Sequence, residues 1–326
     1  MRGIRKYILL LLAGSVIFMA LFAYLAYRAF HLPNEVDDET VFLVPGGQGL
    51  IRTARQLEEG GLITDRDIFK FGVMMKGQER NLKAGEYLIP TSQSMNDILE
   101  ILVKGDVIQH SVTIPEGWTS YQIVEYLNEL FRLSGDIETL PAEGSLLPET
   151  YKYTLGTNRH DLIKRMQDDH DTLVMRLWNN RQPDLPVHSV EEAVILASIV
   201  EKETGLAAER PHVAGVFINR LRRGMRLQSD PTIIYGITHK GFLDRGLRRS
   251  EIENTENPYN TYQIDGLPPT PIANPGKASI EAVLNPMQTD DLYFVADGTG
   301  GHVFAKTLAE HQRNVANWRR IEASRK

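Results

Sequence analysis

Two carboxylates stand at the end of an apolar run: Glu201 and Glu203, separated by Lys202, close the segment EEAVILASIVEKET. In a helix, residues three, four and seven places apart share a face. Glu203 then continues the stripe of Val200, Ile199 and Leu196, Lys202 that of Ile199, Ser198 and Ile195, and Glu201 that of Ser198, Ala197 and Val194. Glu203 is therefore the carboxylate set beside the largest apolar side chains. Partial desolvation and the negative end of the helix dipole both favour its protonated form and push its pKa upward. A carboxyl group that keeps its proton near neutral pH is what general acid catalysis requires. A second reading fits the same spacing: a solvated helix end, rich in Glu and Lys, that supplies only charge.

The surrounding sequence gives elements able to hold that end in place. Ser189 and Glu192 predict a capping box in front of the helix, Ala193–Val200 predict its burial, and Gly205 predicts its stop. A second helix is expected over 210–223, with Val213, Val216, Phe217 and Leu221 at helical spacing, ending at Gly224 and packing on the first. Beyond it come QSDPTIIYG (228–236), a Pro/Asn-rich loop over 257–276 and two strand-like segments, Leu292–Val295 and His302–Phe304. A last helix is capped by Thr307 and Glu310. The run Asp297-Gly298-Thr299-Gly300-Gly301 between the strands reads as a hairpin turn, because a phosphate cradle would open a helix instead. Helices and strands segregate without a running βαβ alternation, so the class is α+β. Nine histidines without an H-E-x-x-H pair, and no cysteine, predict neither a metal site nor a cofactor.

Nearer the N-terminus the chain predicts a smaller unit over 41–106. It has a strand at 41–44, a helix at 50–59, a helix from Thr64, whose hydroxyl would cap it, a strand at 84–89, and a helix opened by Ser94 and Asp97. A new start follows with a strand over 108–114 and a capping box at Thr119 and Gln122, which opens the larger part, 107–326. Ahead of both lies Tyr7–Tyr27, a stretch free of charge and about 31 Å long as a helix, enough to cross a bilayer. Arg2, Arg5 and Lys6 precede it, whereas Glu35, Asp37, Asp38 and Glu39 follow closely after Arg28 and His31. That bias predicts residues 1–6 in the cytoplasm, 7–27 as an uncleaved transmembrane helix, and the remainder outside. A cleaved signal peptide is the alternative, but the stretch exceeds a usual signal core and no Ala-x-Ala site follows. The net charge of −6 argues against a nucleic-acid partner and suits a neutral or polar polymer better.

Several longer segments carry a resemblance. ASIVEKET (197–204), VFINRL (216–221), MRLQSDPTIIYG (225–236), NPYNTY (257–262) and GLPPTPIANPG (266–276), in this order behind one N-terminal span, resemble the bacterial MltG (YceG-like) endolytic murein transglycosylases; LPETY (147–151) and LYFVADGTGGHVF (292–304) are also similar to that family. The resemblance implies a LysM-like domain over 41–106 and a catalytic domain over 107–326. It implies cleavage of the β-1,4 bond between N-acetylmuramic acid and N-acetylglucosamine within a glycan strand, with closure of a 1,6-anhydro ring. The second glutamate of the family's E-K-E-T segment is the catalytic one, which carries over to Glu203 as acid and then base. Candidates for the substrate lining are Glu149, Gln228, Ser229, Asp230, Thr232, Tyr235, Asn260 and Tyr262, and each has a structural alternative as turn, bridge or core group. The implied partners are peptidoglycan glycan strands and the inner membrane, with cell-wall synthases or division proteins within reach of a tethered periplasmic enzyme acting on nascent strands. Two rival readings remain: a muramidase with Asp230 or Glu149 as second carboxylate, and a membrane-anchored murein-binding scaffold without catalysis.

Overall fold

The structure is a computed structural model that describes residues 2–34 and 38–324; Glu35 and Asp37 of the acidic run lie outside the described residues. The chain forms two compact units, residues 1–110 with 153–156, and residues 111–152 with 157–326.

The first unit begins with α1 (Arg2–His31), followed by β1 (Thr40–Val44), α2 (Leu50–Glu59), α3 (Arg66–Met75), β2 (Gly85–Ile89) and α4 (Met95–Lys104). β1 and β2 pair antiparallel, Phe42 opposite Tyr87, and alternate burial along β1 turns Phe42 and Val44 inward. Those side chains join Leu57, Phe69, Val73, Ile98 and Leu102 in one apolar core. Phe30, near the end of α1, is part of the same core, and a Cβ at Gly72 of α3 would lie 2.2 Å from its ring, so only glycine permits this approach. α3 is capped one residue later than Thr64 suggested. The carboxylate of Asp65 accepts from the N–H groups of Asp67 and Ile68, and a charged acceptor outcompetes a hydroxyl there. Ser94 and Asp97 form the expected reciprocal capping box of α4.

The second unit holds α5 (Ser120–Glu129), α6 (Arg159–Asn179), α7 (Val190–Glu203), α8 (Arg210–Arg222), α9 (Asp230–Thr238), α10 (Arg249–Ile252), α11 (Lys277–Leu284) and α12 (Leu308–Ser324). Two short strand pairs complete the molecule, β3 (His110–Thr113) with β4 (Thr150–Tyr153) and β5 (Tyr293–Ala296) with β6 (His302–Ala305). Ala193–Val200 of α7 are buried without exception, and α7, α8 and α11 pack on one another around the larger core. The cap of α7 is half the expected box: the Ser189 hydroxyl accepts from the Glu192 N–H, but Glu192 turns its carboxylate to the N–H of His188. β5 and β6 form the expected hairpin, with Asp297 accepting from the backbone of Thr299 and Gly301 in its turn. Residues 130–187, to which the sequence reading assigned nothing beyond LPETY, contain the 21-residue α6.

Candidate active site

α7 delivers its two glutamates to different environments. The Glu201 side chain is 5% exposed and surrounded by donors: the Arg210 guanidinium at 3.1 Å on Oε1, with the Gly276 N–H at 3.0 Å and the Ser279 hydroxyl at 2.8 Å on Oε2. It ties the end of α7 to α8 and to the start of α11, and its charge is met on both oxygens. Lys202 donates to the Gly117 carbonyl at 3.2 Å, and burial lowers its pKa.

Glu203, the last residue of the helix, points the other way. The chain turns extended at Thr204, whose hydroxyl accepts from the Leu206 N–H and donates to Glu209, so the helix stops where Glu203 emerges. Glu203 lies partly exposed in a cleft of about 450 Å³ whose other walls include Arg220, Gln228, Asp230, Tyr262, Phe294 and His302. One hydroxyl, Ser229 Oγ, donates to its Oε1 at 2.5 Å. Desolvation is the largest influence on this carboxyl and raises its pKa to about 7; the Ser229 hydrogen bond lowers it, the charge of Asp230 raises it, and His302 and Arg220 lower it. The cleft thus holds a carboxyl group near the midpoint of its titration at neutral pH.

The remaining candidates sort into those that reach the cleft and those that build it. Gln228 adopts a left-handed backbone (φ 53°) that lets its N–H bond the Thr261 carbonyl while its Oε1 accepts from Arg220. Asp230 accepts from the Tyr262 hydroxyl at 2.7 Å, and burial together with that bond raises the tyrosine's pKa. Thr232 lies behind Ser229: its hydroxyl donates to the Ser229 carbonyl at 2.6 Å and meets Thr261 at 2.9 Å, while Thr261 Oγ1 accepts from the Ser229 N–H. The two threonines fix the backbone that aims Ser229 at Glu203. Asn260 is buried outside the cleft, its side-chain amide donating to the carbonyls of Glu251, Ile252 and Asn254 and its oxygen accepting from the Tyr262 N–H. Asn260→Ala leaves those carbonyls without their donor, at about 1–3 kcal/mol. A denaturant melt should register that loss, whereas a substrate-contact role would weaken binding and leave the melt unchanged.

Tyr235 is a core residue, packed at 5.1 Å from the Tyr259 ring with its hydroxyl on Glu143. Glu149 is exposed, its backbone carbonyl accepting from Ile114, and it does not line the cleft.

Seven cleft residues escape the sequence reading, among them Arg220, Phe294, His302 and His311. Arg220 is buried and donates to the carbonyls of Leu292, Arg226 and Leu227, so it joins α8, the residue just before β5 and the loop before α9. His302 is held by Glu209, which accepts from its N–H at 2.9 Å and meets Nδ1 at 2.7 Å. His311 stacks on Tyr293, and its buried Nδ1 has no hydrogen-bond partner among the described residues. Arg220 and His302 sit in segments that carried the resemblance, but an arginine on a helix and a histidine after a glycine turn have no spacing that marks them as cleft groups.

Comparison with known proteins gives the same lineage from sequence and from fold. The model of the YceG-like family matches residues 42–317. An endolytic murein transglycosylase of Bacillus subtilis (strain 168) is 31% identical over an alignment of 326 positions, which covers 89% of this chain and 88% of that protein. One from Streptococcus pneumoniae (strain D39) is 32% identical over 324 residues, 84% of this chain and 57% of that longer protein. Among solved structures, a yceG-like protein of Listeria monocytogenes superposes with a TM-score of 0.54 at 28% identity, covering 85% of this chain and 99% of that one.

Proposed function

The chain belongs to the YceG-like family, and from that premise we propose that it is a membrane-anchored endolytic murein transglycosylase in which Glu203 is both acid and base. The observation that carries the reading is the cleft itself, which holds a carboxyl group at the tip of a buried helix with its pKa raised to about 7.

In the proposed reaction protonated Glu203 gives its proton to the glycosidic oxygen as the bond from C1 of N-acetylmuramic acid breaks. The resulting carboxylate takes the proton from the sugar's 6-hydroxyl, whose oxygen bonds to C1 and closes the 1,6-anhydro ring. Glu203 ends protonated, no water is consumed, and the same side chain is ready for the next bond. Ser229 supports the ionised stage, because a donated hydroxyl stabilises a carboxylate. Gln228, Asp230, Tyr262 and His302 supply the polar wall that would orient the sugars. Asp230 beside Glu203 favours one rival, a muramidase with Asp230 as second carboxylate. The products separate the two: digestion of purified sacculi should yield anhydro-ended fragments, each lighter by one water than the reducing ends a hydrolase would leave.

Since the reacting enzyme must begin protonated, kcat/KM should be level on the acid side and fall about tenfold per pH unit above roughly pH 7. Ser229→Ala removes a bond that favours the charged form, so the break in the profile should move to higher pH. A break that stays in place or moves down would dissociate Ser229 from the acid.

For the anchor, α1 contains an apolar span, Lys6–His31. Phe30 belongs to the core of the first unit, and Asn34 bonds both the Gln93 carbonyl and the Gly61 carbonyl. This supports a retained anchor over a removed leader, since removal would strip a core side chain. The reading places residues 1–6 in the cytoplasm and the catalytic domain, 107–326, outside it, facing nascent glycan with wall synthases or division proteins nearby. The order β1-α2-α3-β2, with its strands paired, supports a LysM-like reading of 41–106.

A further inference from the structure

We propose that α3 lies in the headgroup layer of the bilayer, so that the first unit is seated on the membrane by a peripheral contact as well as by its spanning helix. The inference rests on the reading that α1 crosses a membrane.

The argument is one of depth. The charge-free stretch Tyr7–Tyr27 is about 31 Å long, against a hydrocarbon layer of about 30 Å, so α1 has little freedom to slide. Ala23 then lies about 6 Å inside the outer edge of that stretch, and Tyr27 lies at the edge. α3 runs against this part of α1. Two grooves of about 420 and 550 Å³ follow their contact, one between Ala23, Tyr27 and Met75, the other between Phe22, Leu25 and Ile68, with Phe71 bordering both. Whatever medium surrounds Phe22–Tyr27 also surrounds these side chains of α3.

α3 is built for that medium. Phe69 and Val73 face the core, while Phe71, Met74 and Met75, at i, i+3 and i+4 on the opposite face, are 60%, 58% and 72% exposed. Lys70 borders this apolar face and is paired with Asp67, while Arg66 and Lys76, at the two ends of the helix, are paired with Glu58 and Glu100, so α3 offers the headgroup layer an apolar face rimmed by balanced charge. The acidic groups set the depth. Asp65 and Asp67 border the second groove, Asp65 bonded to backbone N–H groups and Asp67 paired with Lys70 at 2.6 Å. Such charges belong in the wet headgroup layer, not in hydrocarbon. The occupant of the patch is lipid, because the patch is continuous with a helix face already turned to lipid.

The absence of cysteine allows a direct test. Full-length chains carrying one cysteine each, Phe71→Cys, Met75→Cys, Val16→Cys at mid-span and Glu191→Cys as aqueous reference, are labelled with a small fluorophore. They are reconstituted in vesicles of phosphatidylglycerol and phosphatidylcholine. Labels at 71 and 75 should be quenched by a shallow lipid-borne nitroxide at least threefold more than the label at 191, and should be shielded from iodide. Iodide quenching at 71 and 75 equal to that at 191 overturns the proposal. So does shielding from both quenchers, which would put a protein, such as a second copy of this chain, on the patch. If the label at 16 escapes the lipid nitroxide, the spanning reading falls as well; if 16 is quenched and 71 and 75 are not, only the seat of α3 falls.

Discussion

Replacing Glu203 by Gln should lower the rate of anhydro-product formation by roughly 10²–10⁴-fold, the range for loss of a general acid–base group, while the protein stays folded. The amide keeps the size of the carboxyl group, and its oxygen can still accept from Ser229, so the cleft retains its shape. What is lost is the transferable proton and the base that forms after its transfer. Mass spectrometry of digested sacculi measures the effect. A variant that makes anhydro ends at the parent rate would remove Glu203 from the mechanism, whereas a parent that binds glycan without cutting it would favour the scaffold reading. The same substitution should change the pH dependence of stability in a defined window. The pKa of Glu203 in the folded chain, about 7, lies above its ordinary value of 4.5. Its contribution to stability is therefore fully present below about pH 4.5 and is lost as pH rises through 7. Melts of the Gln variant should lack that decline.

Glu201→Ala should produce the opposite division of effects. It removes the most buried partner of Arg210 and the acceptor for both Gly276 and Ser279, leaving Arg210 with Glu116 at 3.1 Å as its one carboxylate partner among the described residues. Breaking a buried pair of this kind costs about 3–5 kcal/mol because the surviving charge stays desolvated. At roughly 2–4 °C per kcal/mol for a unit of this size, calorimetry should show a fall in Tm of about 6–20 °C. Below its melting range the variant should still form anhydro ends, since Glu203 and Ser229 are held by other contacts. Two glutamates separated by one residue would then be distinguished by one enzyme assay and one melt. A Glu201 variant as stable as the parent would refute the anchoring role.

Helical spacing distinguishes these glutamates in the sequence because α7 is buried on nearly all sides, so a carboxylate at its tip inherits the surroundings of the stripe it ends. The stripe gave Glu203 large apolar neighbours, and the structure adds the cleft. It could not give Ser229 as the hydrogen-bond partner, because that contact depends on a left-handed Gln228 and on two threonines brought together from segments about thirty residues apart. Local signals were equally readable where they were strong, as in the capping boxes of α4, α5 and α12 and the Asp297 turn. α6 was legible in principle, since Leu162, Ile163, Met166, His170, Leu173, Val174 and Leu177 bury one face at helical spacing. Its many charged residues dilute that face in any average over the segment. Asn260 and Tyr235 show the limit of motif reasoning: they sit in segments shared with the family, yet one braces a loop and the other fills the core.

The burial of Phe30 beneath Gly72 bears on how this protein can be made soluble. Truncation at a conventional point just beyond the apolar helix would discard the aromatic plug and open a hole lined by Phe69 and its neighbours, at about 3–5 kcal/mol if the loss resembles a buried Phe→Ala change. Starting the recombinant chain at Ala29 keeps the plug while dropping nearly all of the greasy span, and the longer fragment should express with the sounder amino-terminal half.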